Sequence, residues 1–449
     1  MFLLWKRLNF SFLILMLTLP GLNAQENNRV KLSLNDALNL ANKKNFELRL
    51  ARAEIDKMSA DKNKSLSVFM PQVTLSETFI KTDDPISVFG FKLKQKIISP
   101  ADFNPVLLNN PNNTSNYNTR IVVKQPLINF DGFFGRAAAA EGLSAVKYKK
   151  TRTEKYVQFL VKTNYYLLGL QNKSLQVIKK DLQTAKANRK FIKNYYNEGL
   201  ITKADYLMVE VYVSNVKSQL VETENNVKKA SDNLRFVLGI KGNKQIQPVD
   251  SLTLPTINLI DYQPRSIIEN RSDILAYRYK VNALGKLEKM NWMKLLPRVN
   301  AFGAFEYNDT KFLGTQANNW LVGVNLQWNI FNGFKNIASI QKSKAELSLA
   351  ETEYQKAKTK GINDINGSIR DIKAAKAKLM LAEAAVNQSA EALRIITNRY
   401  NKGLEKTIDL INIEASALNT KLNYWKTLYY YNVTVFKAEL MLERKLVIN

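Results

Sequence analysis

The stretch Tyr196-Asn197-Glu198-Gly199-Leu200 returns 204 positions later as Tyr400-Asn401-Lys402-Gly403-Leu404. At the same offset Ile192, Asn194, Asp205, Glu210, Asn215 and Lys217 match Ile396, Asn398, Asp409, Glu414, Asn419 and Lys421, too even a spread for low complexity. Long apolar seams flank each glycine. Leu168, Leu175, Ile178, Leu182, Ala185, Ile192 and Tyr196 lead into the first turn in steps of three, four or seven, and Val209, Val213, Val216, Leu220, Val227, Ala230, Leu234 and Val237 lead away. Ile365, Ile369, Ile372, Leu379, Val386, Leu393 and Tyr400 approach the second turn, and a last helix follows from Ile408 to about Arg444. Each glycine thus marks the end of a long antiparallel helical hairpin. A helix from Arg136 to Glu198 measures about 95 Å at 1.5 Å per residue, more than a globular domain needs.

Before each hairpin the period changes to two. Val73, Leu75 and Phe79 alternate with polar residues, as do Ile121, Val123 and Leu127, so residues 72–127 read as two strands joined by a long loop. A second pair spans 298–330, with Val322, Val324 and Leu326 between Trp320 and Trp328. Pro71 and Pro297 stop the helices ahead of both pairs. The chain divides into a repeat over 25–239, a Gly- and Pro-punctuated linker over 240–265, and a second repeat over 266–449.

Residues 1–24 carry Lys6 and Arg7, an apolar run from Leu8 to Leu19, and a small-residue end at Ala24, the pattern of a secretory signal peptide. No later segment has the roughly 18 apolar residues of a membrane-spanning helix. An exported chain of this kind is soluble, peripheral or a β-barrel. Four strands cannot close a barrel, which takes about eight, and open strand edges are not tolerated in lipid. Three chains would pool twelve strands.

Histidine and cysteine are absent. This removes the usual general base, the common zinc ligands and the thiol nucleophile, and neither a nucleophile elbow nor a phosphate loop is visible. No enzyme, metal site or cofactor is expected. Net charge is +27, or +25 once Lys6 and Arg7 leave with the signal. Export argues against nucleic acid as the partner; solvated helix faces, lipid headgroups or a basic channel wall remain for the charge.

The duplicated Tyr-Asn-x-Gly-Leu turns, the aspartates six residues after each glycine, the Pro-bounded strand pairs, Arg271-Ser272-Asp273-Ile274, and the loop from Val88-Phe89-Gly90 to Asp102-Phe103-Asn104-Pro105 together resemble the TolC family of outer-membrane efflux proteins. The resemblance covers essentially the whole mature length. It implies a mainly α fold with a membrane β-barrel contribution: a homotrimer with a twelve-stranded barrel in the outer membrane of a Gram-negative bacterium and a helical tunnel through the periplasm. The implied function is the passive exit duct of a tripartite efflux or type I secretion system, working with a periplasmic membrane-fusion adaptor and an inner-membrane RND pump or ABC transporter. Gly199, Leu200, Gly403 and Leu404 would form the adaptor-docking tip. Asp205 and Tyr400 match a carboxylate and a tyrosine that hydrogen-bond across helices at the entrance gate, and Asp409 matches a lumen-facing carboxylate ring. Glu405 stands where a well-known member has arginine, and Asn412 where it has a second ring aspartate. The competing reading is a secreted basic coiled-coil scaffold or adhesin without channel activity.

Overall fold

The computed structural model describes residues 29–257 and 263–446, so the expected signal peptide lies outside the described residues. The chain begins with β1 (Arg29–Leu32), α1 (Leu34–Lys44) and α2 (Phe46–Lys64), then β2 (Gln72–Thr82). The loop after β2 is partly helical, with α3 (Pro85–Lys94), a 3-10 turn and α4 (Pro105–Asn109), where its Pro, Asn and Gly content suggested an irregular connection. Those residues instead start helices: Pro85 and Pro105 occupy first helical positions, and Asp84 and Asn104 cap them. β3 (Thr114–Ile128) leads into α5 (Phe130–Asn197), and α6 (Lys203–Leu238) returns from the first turn.

The stretch expected as linker contains β4 (Gln245–Pro248), which pairs in parallel with β1. Both are too short to show a period. After α7 (Pro264–Asn270) come α8 (Ser272–Met293), β5 (Arg298–Asp309), β6 (Ala317–Gln327), α9 (Lys335–Asn401) and α10 (Thr407–Leu442). Helix, two strands, long helix, turn and helix therefore occur in that order twice.

The 68 residues of α5 span about 100 Å. Its helix starts six residues earlier than the apolar pattern indicated, because Asn129 accepts a hydrogen bond from Gly132 N–H and caps the N-terminus. Along its length α5 packs on α2 and α8, then on α6; α9 packs on α8, then on α10. The shorter helices meet end to end. Asn45 caps α2 by accepting from Leu48 N–H, and donates to Val237 O near the end of α6 (2.7 Å). Glu443, just past α10, accepts from Ser272 N–H and Oγ–H at the start of α8 (3.1 and 2.8 Å). At the first junction Gly239 has φ +69°, and a Cβ there would lie 2.2 Å from Lys44 O. Only glycine satisfies both the left-handed turn and the close approach.

The seams anticipated from spacing are the core. Leu168, Ile178, Leu182, Ala185, Ile192, Val209, Val213, Val216, Leu234, Ile365, Ile369, Ile372 and Leu379 are buried. Burial of such a side chain stabilises by about 2 kcal/mol, which holds an elongated bundle without a globular centre.

The four longer strands form one antiparallel sheet in the order β2-β3-β5-β6, leaving β2 and β6 paired on one side only. Their register sorts side chains between the two faces. Val73, Leu75, Ile121, Val123, Phe305, Trp320, Val322, Val324 and Leu326 share one face and stand exposed. The other is mainly polar, carrying Thr74, Ser76, Arg120, Lys124, Asn300, Glu306, Asn319 and Asn325, with Val122, Phe302 and Leu321 among them. On the apolar face no charged residue lies between the level of Trp320 and the foot of the strand at Leu326. The β2–β3 loop leans over the polar face, where Gln95 donates to Ser115 O and Asn116 Oδ1 (2.9 and 2.8 Å) and Lys94 lies 3.5 Å from Glu306. Among the described residues no helix is long and apolar enough to cross a membrane.

Candidate functional site

The two repeated turns have the same backbone. Leu200 N–H donates to Tyr195 O (2.9 Å) and Gly199 N–H to Tyr196 O (3.0 Å); Leu404 N–H donates to Arg399 O (3.0 Å) and Gly403 N–H to Tyr400 O (2.9 Å). These are Schellman closures, which need a left-handed residue just past the helix. Gly199 and Gly403 supply it with φ values of +72° and +74°. Nothing lies within 4 Å of a Cβ placed on either, so conformation rather than crowding demands glycine here. Beyond each glycine an apolar side chain stands in the open, Leu200 at 65% and Leu404 at 61% exposure.

The turns sit side by side and enclose an open cleft of about 900 Å³, lined by Tyr195, Gly199 to Thr202, Asp205 and Met208 from one hairpin and by Tyr400 to Gly403 and Glu405 to Ile408 from the other. All four expected docking residues are at this end, three of them lining the cleft, and the structure brings Asp205 and Tyr400 into it as well.

The repeated aspartates hold equivalent places in the first turns of α6 and α10, where the helix N-terminus favours a carboxylate. Their local partners differ. Asp205 accepts from Thr202 Oγ–H (2.6 Å) and N–H (3.1 Å) while Thr202 Oγ accepts from Asp205 N–H (3.2 Å), a reciprocal capping box. At the second turn Lys406 holds the cap position and makes no side-chain cap, leaving Asp409 partly exposed without that engagement.

Tyr400 is buried with Ile192, Val209 and Leu410. Its hydroxyl shares a hydrogen bond with Thr407 Oγ (3.2 Å). Burial pushes the Tyr400 hydroxyl upward, and the charge of nearby Asp205 adds to the shift. Asp205 and Tyr400 thus interact through space within this chain, each hydrogen-bonded to a threonine rather than to the other. Glu405, the departure from the arginine pattern, accepts from Arg399 Nε–H (2.6 Å) and ties the second turn to the end of α9.

Above the tip lies a polar cluster that spacing did not single out as functional. Glu414 is 7% exposed and accepts from the Asn188 side-chain amide. Burial pushes its carboxyl up to about 7, opposed by the Asn188 hydrogen bond and reinforced by Asp181. Asp181 is likewise pushed up by burial, although Tyr212 O–H donates to it (3.1 Å) and Lys421 lies near. The signal was available: Glu414 falls in phase with buried Leu410, Ala417 and Leu418, a carboxylate inside an apolar seam. Its repeat mate Glu210 stays partly exposed, receiving Tyr206 O–H (2.5 Å) and facing Arg189 (3.5 Å). Among the described residues no group of His, Cys, Asp or Glu is arranged to hold a metal ion.

The fold is shared with solved membrane proteins. A membrane protein from Pseudomonas aeruginosa superposes with a TM-score of 0.80 at 16% identity, over 91% of this chain and 92% of that one. The CmeC outer membrane channel of Campylobacter jejuni gives 0.78 at 15% identity, over 92% and 86%. In sequence the chain is 21% identical to toxin and drug export protein A of Aggregatibacter actinomycetemcomitans over 289 residues, 62% of this chain and 61% of that protein. It is 24% identical to outer membrane efflux protein BepC of Brucella suis over 298 residues, 64% and 63% of the two chains. The aligned region thus spans under two thirds of these curated relatives. Residues 37–240 and 264–434 match the family of outer membrane efflux proteins, and with both strand pairs and both helical hairpins except the end of α10 inside the match, the chain belongs to that family.

Proposed function

We propose that this protein is the outer-membrane exit duct of a three-part export assembly, a passive conduit that catalyses no reaction and draws its driving force from an inner-membrane pump through a periplasmic adaptor. The observation that carries the reading is the four-stranded sheet with one apolar face, one polar face and two half-paired edges. In lipid the edges of β2 and β6 need partners, and the same edges of two further copies supply them. Twelve strands then close a barrel of ordinary size. Trp320 and Trp328 frame the apolar band, eight residues or roughly 26 Å of extended chain apart, which a tilt of about 40° turns into roughly 20 Å of height, most of the roughly 25 Å band of outer-membrane barrels. A soluble scaffold would leave Trp320, Val322, Val324 and Leu326, each more than 60% exposed, in water.

In this reading residues 1–24 direct export, residues 25–239 and 266–449 are two copies of one unit joined at 240–265, and the long hairpins of three chains wall a periplasmic tunnel. The adaptor docks at the tip on Gly199, Leu200, Gly403 and Leu404, where the open glycine backbones admit a close helix and the leucines supply apolar knobs. Asp205, Tyr400 and Asp409 set the entrance. The pump is of the RND or ABC class.

The test is reconstitution. Detergent-purified protein should cross-link as a trimer and give stepwise conductance in planar bilayers. A monomer that stays in solution without detergent and carries no current refutes the proposal.

A further inference from the structure

We infer that the polar face of the strand assembly is a selectivity element that favours anionic cargo, with Arg120 and Lys124 as its determinants. The inference rests on the duct reading above, in which this face lines water. Strand register puts Arg120 level with Ser76 and Glu306, and Lys124 level with Gln72 and Phe302, all on the polar side. The charges there do not balance. Arg298 is held by Asp131 through two hydrogen bonds (2.6 and 3.2 Å) and cancels it. Glu306, the one carboxylate on this face of the four strands, is flanked by Lys94 at 3.5 Å and Arg120 at 3.8 Å. The longer contact is beyond hydrogen-bonding reach and leaves Arg120 Nε–H without an acceptor among the described residues. Lys124 is exposed and has no ion-pair partner among the described residues. On the strands, Arg120 and Lys124 against Glu306 leave one positive charge per chain and three in three copies, while β6 contributes no charge and the β2–β3 loop, Lys94 included, is neutral in sum.

Geometry makes these charges felt across the lumen. Twelve strands about 4.8 Å apart, tilted by about 40°, close on a radius of about 12 Å. A lysine or arginine reaching roughly 6 Å inward sits about 6 Å from the axis, inside the Debye length of about 8 Å at physiological salt. One unit charge at that distance across water changes the local concentration of a monovalent ion just under twofold after screening at physiological salt, and two charges together about threefold. Small organic carboxylates, sulfonates and phosphates are the cargo class so favoured. Entrance carboxylates act in the opposite sense, so the informative quantity is the change on substitution.

The experiment is the reversal potential of full-length protein in planar bilayers under a potassium chloride gradient. Relative to the unmodified protein, the chloride-to-potassium permeability ratio should fall at least about threefold in R120Q/K124Q and by a similar factor in K124E, which changes the charge by the same two units per chain, and rise in E306Q. Should the double variant fail to insert, K124E carries the test alone, since Lys124 is exposed. Channels of normal conductance whose ratio is the same with lysine, glutamine and glutamate at 124 overturn the inference and leave the duct standing. An unmodified protein that never conducts overturns both.

Discussion

Replacing Glu414 by glutamine should stabilise the helical hairpins at pH 8 and leave them nearly unchanged at pH 5. Glu414 lies in the apolar seam of α10 beside Leu410, Ala417 and Leu418, faced by Asn188 and Asp181 from α5 and Tyr212 from α6, with Lys421 of its own helix near Asp181. Burial raises its carboxyl from 4.5 to about 7. Between those values the folded chain holds a proton that the unfolded chain has released, so stability falls as pH rises through the window and levels off above it. The shift corresponds to about 3 kcal/mol per chain once the carboxylate is fully ionised. Glutamine is nearly isosteric, keeps an oxygen for the Asn188 amide, and carries no charge to desolvate. For about 420 folded residues, 3 kcal/mol is roughly 3 °C in midpoint. Helical circular dichroism during thermal unfolding, repeated from pH 5 to pH 8.5, should show a wild-type midpoint that declines between pH 5 and pH 7.5 and a flatter E414Q curve that crosses above it. Parallel curves, or an E414Q protein less stable at pH 8, would mean that water reaches the carboxylate and that the seam is not closed at this height.

The glycines separate by mechanism. Gly239→Ala meets both a positive φ and the Lys44 carbonyl at 2.2 Å, so it should lose about 3 kcal/mol, whereas Gly199→Ala, with nothing within 4 Å, should lose about 1 kcal/mol; thermal unfolding of the two variants side by side checks the contrast. At the tip, Leu200→Asp combined with Leu404→Asp should weaken adaptor capture at least tenfold without moving the unfolding midpoint, because neither side chain is packed in this chain. Surface plasmon resonance against the cognate adaptor reads this, and unchanged binding would remove the leucines from the docking surface.

Most of the scaffold was legible because its signals are long. Sixty-residue helices carry many turns of apolar spacing, and the strand from Ala317 to Gln327 alternates without a break over Val322, Val324 and Leu326. The short parallel pair β1 and β4 was not, since four residues carry no period and the pairing joins positions more than 200 apart. The helical β2–β3 loop was missed for another reason. Its Pro, Asn and Gly content suggests turns, yet Pro and Asn, with Asp84, are also good helix starters.

The candidate site was legible in position and less so in partnership. The glycine turns, Asp205 and Tyr400 meet in one cleft, yet which atoms they bond depends on neighbours that differ between the two hairpins. Thr202 turns Asp205 into half of a capping box, and Lys406 offers Asp409 no such reciprocation. Likewise Glu210 has Arg189 and Tyr206 at the surface, while Glu414 is enclosed with Asn188. The repeat preserves the residue at each place, and burial decides its chemistry: one carboxylate of each matched pair is engaged locally near the surface. The other is either left with free bonding capacity, as at Asp409, or held in the core with a titration point near neutrality, as at Glu414. A matched pair of carboxylates in duplicated hairpins is therefore informative where its two environments diverge, and both divergences here fall on α10.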